Sequence, residues 1–168
     1  MSAAQTLEAF MAQALAMERE AVERYNELAE AMEMHHNPEV AALFRTMAGY
    51  EAKHAQQIMD QMHWVEPPAL RLAPWPSMES PESVPADEVH YLMHPWHARQ
   101  LALSAEKRAE AFFGELARQA TDDTVRRNAL EMQVEEHVHV QLVRAWLVKV
   151  PEPGPDWADD PDPPRYNE

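Results

Sequence analysis

The stretch MAGYEAKHAQQI, residues 47–58, places an acid inside what should be a buried helical stripe. Met47, Ala48, Ala55 and Ile58 follow the i, i+3, i+4 spacing of an amphipathic helix. Glu51 falls among them, with His54 one turn further on. A lone carboxylate taken out of water costs several kcal/mol unless something positive compensates it. Any fold that buries this stripe must also supply that compensation.

An isolated Glu-x-x-His means little, because 21 Glu and 9 His in 168 residues give about one such pair by chance. Glu33-x-x-His36, at a helix end, is such a pair and is assigned no function. The register carries the signal. Glu18 stands seven residues before Tyr25 and 33 residues before Glu51 of Glu51-x-x-His54. Glu106 stands seven residues before Phe113 and 30 residues before Glu136 of Glu136-x-x-His139. The surroundings echo too, LAMEREAVERY against LSAEKRAEAFF, so the chain reads as two copies of a helical hairpin.

Three helical residues advance about 4.5 Å and about 300°, so each Glu-x-x-His pair shares one face. Glu18 lies among Leu15, Val22 and Tyr25, Glu106 among Leu103, Ala109 and Phe113, and Glu136 among Met132, Val140 and Val143. All four carboxylates are therefore expected to point inward. Two divalent cations would cancel their charge, and two neutral imidazoles would complete the ligand set. Glu110, one turn beyond Glu106, reads as a solvated residue, and His137 as a surface or interface residue. His90, His94 and His97 crowd the entrance to the third helix, but Pro95 interrupts any shared metal geometry there.

Four helices are expected, over about 5–35, 38–63, 95–119 and 121–149. Asn37 caps the second with Pro38 at its first position, and Thr121 caps the fourth. An extra turn is possible just before Pro95. Residues 64–88 carry six Pro and no sustained period, which excludes helix. Short loop, long connection, short loop describes an all-α four-helix bundle over residues 1–150, with one long crossover at 64–94. The acidic, Pro-rich tail 151–168 is expected to be ordered by packing. Its Trp157 and Tyr166 would suit a subunit contact.

The absence of Cys removes disulfides, thiol catalysis and Cys-ligated metal sites. A net charge of −15 argues against a nucleic-acid partner. No apolar run reaches membrane-span length, and the N-terminus shows no secretory pattern, so a soluble, cytoplasmic protein is expected.

Two lone Glu and two Glu-x-x-His pairs on four helices are the ligand pattern of ferritin-like di-iron and di-manganese proteins. Over residues 5–149 the sequence resembles the ferritin-like domain of the rubrerythrin family. The resemblance implies Glu18, Glu51, Glu106 and Glu136 as carboxylate ligands, some of them bridging. It implies His54 and His139 as one nitrogen ligand per metal, and Tyr25 as a hydrogen-bond donor to a ligand carboxylate. It also implies two iron ions, with zinc or manganese as other occupants, and a homodimer. The four-Cys rubredoxin-type site of rubrerythrins proper is absent, so an external electron-donor protein would be required. Leu103 and Ala109 stand where the family's third helix usually offers another Glu, and Phe113 replaces the second-half Tyr. The implied function is a di-iron oxidoreductase reducing H2O2 or O2, of peroxidase or ferroxidase type. The alternatives are a non-enzymatic holder of iron or zinc and, further off, a hydroxylase of an organic substrate.

Overall fold

The computed structural model describes residues 6–68, 81–85 and 88–160. Four helices account for most of them: α1 (Leu7–Met34), α2 (Pro38–Met62), α3 (Pro95–Gln119) and α4 (Asp123–Val148). Their starts are chemically marked. The Thr6 hydroxyl accepts from the Ala9 amide, and the Asn37 side chain accepts from Val40, with Pro38 filling the first position of α2. The cap of α4 is Asp122 rather than the expected Thr121. Its carboxylate accepts from both Thr124 and Val125, at 2.8 and 3.0 Å, and its charge suits the positive end of the helix. Gly is scarce, so His36 and His63 take the left-handed conformation where α1 and α2 end, with φ of 58° and 55°.

α1 packs chiefly on α2, and α3 on α4, giving the two expected hairpins. The apolar interior forms two clusters. One gathers Phe10, Met11 and Leu15 of α1, Ile58 of α2, Phe113 of α3 and Val125 of α4. The other gathers Leu28 and Met32 of α1, Val40 and Phe44 of α2, Ala98 and Ala102 of α3, and Val143 of α4. α1 and α4 thus run from the first cluster to the second, while α2 and α3 both run from the second to the first. Two consecutive helices in the same direction need a connection that returns along the bundle, and the crossover supplies it. Val84 and Met93 of the crossover are buried in the second cluster. The expected extra turn before Pro95 is an isolated turn, in which Met93 donates to the His90 carbonyl at 3.0 Å.

The first ten residues of the tail fold back on the same chain. Tyr91 donates to Asp160 at 2.6 Å, and Trp157 lies 3.8 Å from the His97 ring and 5.4 Å from that of His90. Trp157 is therefore engaged within its own chain and stays partly exposed. Tyr166 lies outside the described residues. No described helix is long and apolar enough to cross a membrane.

Candidate metal centre

Between the two apolar clusters lies a polar layer. Each helix contributes one fully buried carboxylate, Glu18 from α1, Glu51 from α2, Glu106 from α3 and Glu136 from α4, all at 0% exposure. Each sits on its helix's apolar stripe, so packing the bundle forces all four inward. His54 and His139 follow one turn after Glu51 and Glu136. Their rings stack with centroids 4.5 Å apart and planes at 6°.

The distances divide the layer in two. His54 Nδ1 lies 3.6 Å from Glu18 and 3.5 Å from Glu136 Oε1, with Glu51 Oε2 at 4.0 Å. His139 Nδ1 lies 3.5 Å from Glu106, 3.6 Å from Glu51 Oε1 and 3.9 Å from Glu136 Oε2. Glu18 thus faces His54, and Glu106 faces His139. Glu51 and Glu136 each turn one oxygen toward either imidazole. All six expected residues are brought together, as overlapping groups whose ligand atoms lie within 4.8 Å of one another.

Reading helical periodicity misses one member. Glu82, from the crossover, is also fully buried and groups with Glu51 and Glu106. It stands between Pro81 and Ser83 in an irregular stretch, where no period separates an inward from an outward side chain.

Both carboxylate oxygens of Glu18, Glu51, Glu82, Glu106 and Glu136 lack a hydrogen-bond partner among the described residues, as do Nδ1 of His54 and of His139. Buried polar groups are almost always paired, because leaving one unmade costs about 1–3 kcal/mol and more for charges. Twelve such atoms gathered in one layer fit a bound cation pair. Without metal, the layer must hold protons instead. Burial, then the Glu51 carboxylate, pushes Glu18 well above the usual carboxylate range. Burial also pushes up Glu106, reinforced by Glu51 and Glu136, and Glu82, reinforced by Glu136, Glu18 and Glu51. Glu51 moves the other way: burial would raise it, but the approach of Glu82, His139 and Glu18 outweighs burial and holds it below that range. Burial alone would lower His54, but the facing Glu136 and Glu18 raise it to about 11.

Tyr25 is buried, and its hydroxyl is pushed upward by burial and by the Glu106, Glu51, Glu82 and Glu136 carboxylates. It has no hydrogen-bond partner among the described residues, so the expected donation to a ligand carboxylate is not made. The register places the ring on the right face without fixing what its oxygen touches.

The remaining candidates lie elsewhere. Glu110 meets His137 at 2.9 Å at the surface, and Glu33 pairs with Arg45 at 2.9 and 3.2 Å. His90 Nδ1 accepts from the Leu92 amide and His97 Nδ1 from the His94 amide, both loop-shaping bonds. Among the described residues, every metal-competent group lies in the buried layer.

The rubrerythrin family model matches residues 9–147, which span all six expected residues. The chain belongs to the rubrerythrin family. An uncharacterized conserved protein from Magnetospirillum magnetotacticum MS-1, known from a crystal structure, is 36% identical to it. That match covers 89% of this chain and 99% of the other, with a TM-score of 0.67. Among curated proteins there is no match.

Proposed function

We propose that the polar layer holds two iron ions and that the protein is a cytoplasmic di-iron oxidoreductase reducing H2O2 or O2. One observation carries this reading: twelve buried ligand atoms from five carboxylates and two imidazoles share one layer without a hydrogen-bond partner among the described residues. Glu18 and His54 would hold one ion, and Glu106 and His139 the other. Glu51 and Glu136, each turned toward both imidazoles, would be shared between them. Bound there, a pair of iron ions would supply the two electrons that reduction of a peroxide consumes.

The chain's own residues do the rest. The apolar clusters on either side keep bulk water from the layer, which strengthens every charge interaction within it. Glu51 and Glu136 would be held by both halves at once, and Glu18 and Glu106 by one half each. Tyr25 is the donor available to a carboxylate that shifts, because its buried hydroxyl has no competing partner among the described residues. With no Cys, the chain has no redox thiol and no rubredoxin-type centre to refill the site. The partners in this reading are a separate electron-carrier protein and a second copy of the chain.

The test is to load the protein with Fe(II) anaerobically and mix it with H2O2 while following absorbance. Consumption of about one peroxide per site as the iron is oxidised, then stalling until an electron carrier and its reductase are added, is the expected result. The lack of Cys, and with it of a thiol or rubredoxin-type donor in this chain, favours a second reading, a non-enzymatic holder of iron or zinc. Complete inertness of the Fe(II)-loaded protein toward H2O2 and O2 would select it.

A further inference from the structure

We propose that Glu82, carried in from the crossover, is a further ligand of the metal centre on its His139 side. This rests on the metal-centre reading above. Among the described residues, Glu82 is the one member of the layer that no helix delivers, and the structure fixes it from both sides. Arg108, two residues after Glu106 on α3, donates to the Pro81 carbonyl at 2.9 Å and to the Ser83 carbonyl at 3.1 Å. Val84, next along, is buried in the apolar cluster. The backbone around Glu82 is thus clamped to α3, and its carboxylate is turned inward at 0% exposure.

An apolar side chain would fill that space without a desolvation cost. A carboxylate there costs several kcal/mol unless a positive charge meets it. Among the described residues, the basic side chains around it point elsewhere. Arg108 binds the two backbone carbonyls, His54 Nδ1 faces Glu18 and Glu136, and His139 Nδ1 faces Glu106 and Glu51. Both Glu82 oxygens lack a partner among the described residues. Its ligand atom groups with those of Glu51 and Glu106, and Glu106 faces His139 at 3.5 Å. Those neighbours place Glu82 on the His139 half. The two halves of an otherwise repeated site therefore differ by one carboxylate.

The test uses Co(II), whose visible absorption reports its coordination, and Zn(II) affinity measured by competition with a chelator. Wild type is compared with Glu82→Gln, which keeps shape but removes charge, with Glu82→Ala, and with Glu88→Gln as an exposed crossover control. Glu82→Gln and Glu82→Ala should weaken one of the two bound ions by about tenfold or more and alter the Co(II) spectrum. Glu88→Gln should do neither. Metal-free Glu82→Gln should melt no lower than metal-free wild type, because the change removes a carboxylate from a crowded layer. Wild-type affinity and an unchanged Co(II) spectrum in both Glu82 variants would overturn the assignment while leaving the metal centre standing. Failure of wild type itself to take up Co(II) or Zn(II) would instead overturn the metal centre, and Glu82's role with it.

Discussion

The two halves of the polar layer are built from the same pieces, yet their surroundings differ. On one side, His54 turns its outer nitrogen toward Glu135, 3.8 Å away, whose side chain is 44% exposed. On the other, Tyr50 lies 5.6 Å from His139 and is itself backed by Trp146 at 6.0 Å. The His139 half thus has aromatic rings beside it and gains the Glu82 carboxylate, whereas the His54 half has the Glu135 carboxylate on its outer side. A repeated motif fixes where ligands sit. Residues outside the repeat decide how each half behaves.

The sharpest way to break this comparison is to remove residues that belong to both halves or to one. Glu51→Ala or Glu136→Ala takes an oxygen from each imidazole's neighbourhood and should abolish binding at both halves, read as metal content by elemental analysis. Glu18→Ala or Glu106→Ala should leave one ion bound. If Glu18→Ala emptied the site while Glu51→Ala kept two ions, the division into shared and one-sided carboxylates would be wrong.

A smaller effect separates the metal-free and loaded states. Glu18, Glu82, Glu106 and His54 are all raised in the folded, metal-free protein. The native state therefore binds protons that the unfolded chain releases, and stability falls as pH rises through this range. For His54 the stabilisation is complete below its ordinary value of 6.5 and is lost as pH climbs toward about 11. For the three acids the loss begins above the ordinary carboxylate range. Glu51, held low, opposes this only at acidic pH. Metal replaces those protons, so binding should tighten with pH. The melting temperature of metal-free protein should fall between about pH 5 and about pH 9, and Zn(II) should raise it most at the upper end. A metal-free melt that climbs steadily over that range would contradict this account.

The smallest effect concerns the outer residues. Glu135→Ala removes a carboxylate facing His54 from outside and should weaken one ion by about tenfold at most. Glu33→Ala, which breaks an exposed pair with Arg45, should leave metal content unchanged. Equal losses in the two variants would remove the basis for treating the halves differently.

Much of this was legible in the sequence because helices convert spacing into direction. Glu18, Glu51, Glu106 and Glu136 fall on apolar stripes, and the three-residue step to His54 and His139 fixes their shared face. The long Pro-rich connection told α2 and α3 to run the same way. Glu82 was not legible, since an irregular segment has no period and its inward turn depends on Arg108 from another element. Thr121 and Asp122 are both good caps, and only the backbone shows which one reaches the free amides. The Tyr25 ring was placed by register, but its hydroxyl contact depends on distances that a register does not contain.

The central claim is that the buried carboxylates exist to hold metal. Calorimetric titration of Zn(II) into verified metal-free protein, followed by thermal unfolding of each titration point, tests it most directly. The account predicts saturation at two ions per chain and a clear rise in melting temperature. A ligand bound at a thousandfold excess over its Kd stabilises the native state by about 4 kcal/mol. A folded chain that takes up no Zn(II), with a melt unchanged from the metal-free protein, would contradict it.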